Sequence, residues 1–159
     1  MLERYIVATV VQNGDKFILG KKAKGRPPYP DVWHTPGGGV DNFKKAQALY
    51  SQGDFDNEFF HEELRREIRE ELGVEIQNIK NIVPHYRPEP RVAETPNKHG
   101  EMTRHHFLEY LCDYVSGAMK PDDDLAEARW VTKDDLPNLP LTPPSQEMYR
   151  ELGWLRSRL

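Results

Sequence analysis

The stretch from Asn57 to Leu72 (NEFFHEELRREIREEL) constrains this chain most, because its acidic and apolar residues separate onto two faces of a single helix. At about 100° per residue, Glu63, Glu67, Glu70 and Glu71 fall within an arc of about 100°, and Leu64, Ile68 and Leu72 form the adjoining apolar stripe. Asp54, Asp56 and Asn57 each qualify as its N-terminal cap, and Gly73 suits the residue that stops it. Arg65, Arg66 and Arg69 fall outside the carboxylate arc and are not expected simply to interleave with it and neutralise it. Like charges at these spacings cost about 0.2 to 0.5 kcal/mol per pair in an isolated helix. A hard divalent cation turns that repulsion into coordination. The alternative is a solvated face of glutamates present for their helix propensity.

Around this helix the pattern is strand-rich. Arg4 to Gln12 (RYIVATVVQ) is β-branched and ends at the turn dipeptide Asn13-Gly14, after which Lys16 to Lys22 (KFILGKK) is strand-like again, so the two predict a hairpin. Proline and glycine make Gly25 to Gly39 a loop, with a short strand at Val32 to His34. Arg104 to Val115 and Ala128 to Thr132 are further strands, with a polar turn from Ser116 to Asp124 between them. A second helix is expected from Ser145 to about Arg156, capped by Ser145 and burying Met148, Leu152 and Leu155. Pro84 to Thr103 lacks periodicity and reads as a long loop.

A chain of 159 residues suits one domain, residues 1–159, and no internal repeat or linker divides it. Its net charge of -4 argues against non-specific nucleic-acid binding, which relies on a basic surface. A small phosphorylated ligand then requires local basic residues or a divalent metal. No apolar run approaches the roughly 20 residues of a membrane span, and no secretory signal is evident, so the expected setting is cytoplasmic, with no membrane partner. The one cysteine, Cys112, lies in an apolar and aromatic run and reads as a buried inert thiol.

The helix ends in Arg66-Glu67-Ile68-Arg69-Glu70-Glu71-Leu72-Gly73-Val74, Glu58 precedes Arg66 with seven residues between, and Pro36-Gly37-Gly38-Gly39 lies upstream. These residues resemble the Nudix box, G-x5-E-x7-R-E-U-x-E-E-x-G-U with U a bulky aliphatic, which is matched in register from Glu58 to Val74. The N-terminal hairpin, the approach Trp33-His34-Thr35-Pro36-Gly37-Gly38, and Ala128-Arg129-Trp130-Val131 followed by Asp134-Asp135-Leu136 extend the likeness over the whole chain. The front of the box departs from it. Position 52, where the box glycine would stand, is Gln52, and the glycine match falls on Gly38, with 19 residues before Glu58. That is an apparent insertion of about 14 residues, roughly Asn42 to Phe55, in which Phe43 to Tyr50 predicts about two turns of amphipathic helix.

The resemblance implies an α/β fold, a Nudix-type α/β/α sandwich with a mixed β-sheet, and a MutT-like hydrolase cleaving a phosphoanhydride of a nucleoside diphosphate derivative. It implies Mg²⁺, with Mn²⁺ as a substitute, held by Glu67, Glu70, Glu71 and a backbone carbonyl near Gly38. Arg66 is expected to orient the glutamates, and Glu58 to pair with Arg66. Glu89, Glu94 and Glu101 lie in the long loop; Glu101 is taken as general base because it closes that loop before a strand, an exposed loop glutamate being the alternative. Lys22, Arg26 and His34 are the substrate-binding candidates, with Lys21 and Lys24 nearby. His105 and His106 occupy successive strand positions and face opposite ways. Trp33, Tyr86 and Phe107 are candidates to stack on a base or to fill the core.

Among substrates, nucleoside triphosphates are favoured over nucleotide sugars, ADP-ribose and dinucleoside polyphosphates, since so short a chain has no added dimerisation domain. Oligomeric state is left open. Isomerisation of isopentenyl diphosphate on the same fold would need a positioned cysteine, which Cys112 does not supply. A silent nucleotide-binding module would be marked by lost box glutamates, and all are present.

Overall fold

The computed structural model describes residues 1–22, 31–97, 99–122 and 125–156. Lys24 and Arg26 lie outside the described residues. Strand β1 (Leu2–Asn13) runs parallel to β7 (Met102–Ser116) along almost its whole length, from Leu2 opposite Thr103 to Gln12 opposite Asp113. At its far end β1 turns at Gly14, which sits at φ 64°, and returns as β2 (Lys16–Lys22). That left-handed conformation is the one glycine adopts without strain. Beyond β2 the sheet adds β3 (Trp33–His34) and β8 (Leu125–Thr132). The near part of β1 pairs instead with β4 (Gly37–Gly39). Along its other edge β7 takes β6 (Arg91–Pro96) and then β5 (Glu75–Asn81).

Alternation along the strands divides the core in two. Val7, Val11, Leu108, Tyr110 and Cys112 face α2 (Glu58–Leu72) and pack on its Phe60, Leu64, Ile68 and Leu72. Val10, Phe17, Leu19 and Val131 face the other way, against Met148, Tyr149 and Leu152 of and beside α3 (Pro143–Glu151). A mixed sheet between helices is the α/β/α sandwich implied by the sequence. Met148 and Leu152 are buried as the stripe on that helix requires, and Leu155 is partly buried against the same cluster.

The helix termini follow from side-chain chemistry. Asn57 caps α2 by accepting from the Phe59 N–H at 2.9 Å, and Asp54 holds the Asn57 amide at 2.9 Å. Asp56, the third candidate, accepts instead from the Asn81 backbone N–H at 2.8 Å and ties the helix entry to β5. Gly73, at φ 69°, closes the helix in the left-handed conformation. The stretch between Gly39 and α2 forms α1 (Phe43–Ser51), the short amphipathic helix expected there, with Asn42 as its cap. Phe43 and Tyr50 of α1 contact the ring of Tyr5 on β1, at 5.5 and 5.1 Å between centroids.

Two expectations change. The last helix starts at Pro143 and is capped by Thr142, not Ser145: its prolines occupy the first turn, where a missing N–H costs nothing. Ser145 lies inside the helix and sends its hydroxyl to Thr35, accepting from that backbone N–H at 3.0 Å. The supposed loop from Pro84 to Thr103 contains β6.

Candidate active site

The α2 side of the sheet and the opposite side meet at β4. Three consecutive glycines leave no side chains along that strand, and the space is taken by neighbours. A Cβ on Gly38 would lie 2.1 Å from Glu67 Oε2, and one on Gly39 would lie 2.1 Å from an Arg4 nitrogen. The Glu67 carboxylate of α2 is thus seated directly on the glycine strand. The insertion therefore leaves Gly38 next to the glutamate helix: α1 lies against β1 and the chain returns to α2 at the same place.

Glu67, Glu70 and Glu71 line one end of a cavity of about 810 Å³, together with Gly37, Gly38, Gly39 and Asp41. Glu71 is buried and Glu70 is exposed at the rim. Burial raises the Glu67 carboxyl to about 7; Arg66 works against that shift, while Glu70, Asp41 and Glu63 reinforce it.

Arg66 reaches the cluster after all. Its guanidinium donates to Glu63 and lies 3.4 Å from Glu70, 3.5 Å from Glu67 and 3.6 Å from Asp41. It stands about 40° beyond the edge of the carboxylate arc, a gap its long stem spans. Its partner is not Glu58. Glu58 pairs with Arg65 at 2.7 Å, because seven residues return almost to the same helix face whereas eight rotate away by about 80°. Glu58 is exposed and does not line the cavity.

Glu101 is likewise outside the cavity lining. It is exposed in the turn between β6 and β7, with its backbone N–H donating to the Asn97 side chain at 3.0 Å. The geometry gives a general base at Glu101 no support. Of the other loop glutamates, Glu94 is paired with Arg104 on the exposed face of β6 and β7.

The opposite walls carry Arg4, Lys22, His34, His105, Phe107 and Glu109. His34 Nδ1 lies 3.0 Å from the Thr35 carbonyl oxygen, which only accepts, so Nδ1 carries the proton. Burial depresses its pKa to about 4, with the Lys22 charge adding to the effect against the Thr35 hydrogen bond, so the ring is neutral at pH 7. Its Nε2 is then a bare acceptor, buried and without a hydrogen-bond partner among the described residues. Burial also lowers His105, with Arg4, Lys22 and His106 contributing. His106 points to the other face and stacks on Tyr5 at 4.8 Å, as the strand alternation requires. Phe107 lines the cavity, whereas Trp33 is core, flanked by Arg129 at 4.8 Å and Lys21 at 5.7 Å. Tyr86 is exposed. Cys112 is buried and its thiol is pushed up to about 12 by burial, so it is inert.

Glu109 was not singled out from the sequence. It is 5% exposed, lies on β7, and accepts from Arg91 Nε at 3.2 Å. Burial lifts its carboxyl to about 7, Arg91 opposing the shift. The available signal was a charged residue in the middle of the apolar and aromatic run from Phe107 to Cys112, where burial of a charge needs a reason.

A glutamate-bearing helix seated on a glycine strand, at the mouth of a cavity in an α/β/α sandwich, defines the chain as a Nudix-type hydrolase. Residues 2–152 match the model of the NUDIX domain family, and the chain belongs to that family. It is similar to the nucleoside triphosphatase NudI of Klebsiella pneumoniae (strain 342), 28% identical over 156 residues, covering 98% of this chain and 100% of that protein. NudI of Enterobacter sp. (strain 638) is 28% identical over 157 residues, with 98% and 100% covered. Among solved structures, the MutT NUDIX hydrolase from Burkholderia pseudomallei superposes with a TM-score of 0.65 at 21% identity, covering 96% of this chain and 99% of that one. The NUDIX domain of Shewanella oneidensis NrtR, complexed with ADP ribose, gives 0.63 at 13% identity, covering 96% and 86%. These structural likenesses carry the fold. Hydrolases of the family generally need a divalent metal.

Proposed function

We propose that this chain is a Mg²⁺-dependent hydrolase of nucleoside triphosphates. The observation that carries the reading is the juxtaposition of Glu67, Glu70 and Glu71 with Gly38 at one end of a cavity of about 810 Å³. That volume lies within the range of about 300 to 1,000 Å³ usual for small-molecule sites. The NudI relatives, named as nucleoside triphosphatases and aligned along their full length, favour the triphosphate class.

The donor set suits a hard ion. Among the described residues no three His, Cys, Asp or Glu side chains close a ready-made cage. Mg²⁺ does not ask for one, since it retains several waters and takes one or two carboxylates together with substrate phosphates. Glu67, Glu70 and Glu71, with the backbone near Gly38, are the groups that would hold it. When bound, the ion supplies the positive charge that offsets the phosphates and helps activate the attacking water. Arg66 keeps Glu63, Glu67 and Glu70 in mutual register. Arg4 and Lys22 add positive charge along the wall where an anionic chain would lie. The general base is drawn from the carboxylates lining the cavity, not from the exposed Glu101.

The test is a panel of nucleoside triphosphates, nucleotide sugars and ADP-ribose, with release of phosphate or pyrophosphate followed with and without Mg²⁺. The reading requires Mg²⁺-dependent turnover of triphosphates above the other classes. Binding without turnover of any of them would contradict it.

A further inference from the structure

The sheet row crossing the cavity floor runs from Gly37 on β4 to Ala8 on β1 and Glu109 on β7, each in direct register with the next. All three residues line the cavity, and the row ends on a carboxylate. With strands spaced about 4.8 Å apart, Glu109 stands about 10 Å across the sheet from the glycine strand. The neighbouring row places Phe107 beside it, two positions along β7 and on the same face. Glu109 belongs to a chain of alternating charge: Arg87 pairs with Glu151 at 3.2 Å, Glu151 with Arg91, and Arg91 with Glu109 at 3.2 Å. That network joins α3 to β6 and β7, and its last member lines the cavity, each oxygen held from one side by Arg91 and keeping a further lone pair when the group is ionised.

We propose that Glu109 reads the base of the bound nucleotide and selects a ring presenting two adjacent N–H donors, as guanine does with N1–H and its exocyclic amine. The inference rests on the nucleotide reading above and adds which nucleotide. With the phosphates at the Gly38 end, the nucleoside extends over Ala8, its base edge meets the Glu109 carboxylate, and the Phe107 ring offers a stacking face. Above pH 7, where Glu109 is mostly ionised, its carboxylate cannot donate. Adenine and cytosine each set a ring-nitrogen lone pair beside their amino group, and uracil and thymine flank their one N–H with carbonyls, so each confronts an oxygen of Glu109 with another acceptor. A hydrogen bond to a charged group that is lost in a buried site costs about tenfold or more in affinity.

Binding of GMP, IMP and AMP to the full chain at about pH 8 in the presence of Mg²⁺ isolates base reading from turnover, because monophosphates contain no phosphoanhydride and Glu109 is then mostly ionised. GMP is expected to bind about tenfold more tightly than IMP, which lacks the exocyclic amine, and more tightly still than AMP. In Glu109→Gln, whose amide both donates and accepts, the three affinities should converge to within about threefold. A loss of fold or of general packing would weaken all three together, so the ratios carry the test, and the wild-type ratios stand by themselves if the variant does not fold. Equal binding of the three by the wild type, binding of none, or an unchanged ratio in a folded Glu109→Gln would each overturn the proposal. Failure of every triphosphate to turn over, with the monophosphate ratios as expected, would instead strike only the hydrolytic reading.

Discussion

Replacing Gly38 by alanine adds one methyl group where the account demands none. The new Cβ would lie 2.1 Å from Glu67 Oε2 and 2.5 Å from its carboxyl carbon, whereas ordinary contact begins near 3.4 Å. The carboxylate must therefore retreat by about 1.3 Å. Displacements of about 1 Å in a reacting constellation cost on the order of 100-fold in rate, or about 2.7 kcal/mol of barrier. The clash is with the end of a side chain, so the fold should yield at little cost and Tm should stay within a few degrees of wild type. Gly37→Ala supplies the contrast. Its Cβ would meet the Val7 carbonyl oxygen at 2.0 Å and the Ala8 Cα at 2.6 Å, which are backbone atoms that cannot step aside. That variant should lose stability first. Mg²⁺-dependent phosphate or pyrophosphate release, with thermal melting in parallel, separates the two. Gly38→Ala retaining activity within about threefold of wild type would refute the placement of Glu67 against this strand as functional.

Other outcomes follow from the same geometry. Glu109, raised to about 7 in the fold from an ordinary 4.5, binds its proton more tightly folded than unfolded, so its contribution is full below about pH 4.5 and is lost as pH rises through 7. Thermal melting between pH 4.5 and 8 should show a fall that is shallower in Glu109→Gln; an identical slope would contradict the burial argument. Tyr50→Ala removes a half-buried ring that contacts Tyr5, Phe55 and His106, and should cost about 2 kcal/mol, a drop of about 5 °C in Tm. An unchanged Tm would mean α1 does not brace β1. Cys112 should resist a thiol reagent in the native protein and react on denaturation, measured by absorbance of the released chromophore.

The parts of this fold that sequence conveyed are those decided locally. The α2 periodicity, its Gly73 stop, the Asn13-Gly14 turn and the two turns of α1 depend on residues within a few positions of one another. The misses depend on partners far along the chain. β6 carries Pro96 and no clear alternation, and becomes a strand because β7 is long enough to pair with it before pairing with β5. The cap of α3 moved to Thr142 because two prolines prefer the first turn and Thr35, 110 residues away, takes up the Ser145 hydroxyl. In the site, the box residues announced themselves by spacing, while Glu109 reaches the cavity lining only through the register of β7 with β1 and of β1 with β4. Glu101 looked apt by its position before a strand, yet the tight β6–β7 turn carries it away from the cavity. Arg66 shows the limit of helix-wheel reasoning, since backbone angle alone does not say where a long side chain ends.

The central claim is that Glu67, Glu70 and Glu71 act together as the metal-holding group. Its most direct test is the Mg²⁺ dependence of nucleotide hydrolysis in Glu70→Gln and Glu71→Gln, each against wild type at matched protein fold. The account predicts that each substitution, which keeps shape and removes one charge, sharply lowers the rate and raises the Mg²⁺ concentration needed for half-maximal activity. Wild-type rates at wild-type Mg²⁺ concentrations in either variant, on every phosphoanhydride the parent cleaves, would contradict it.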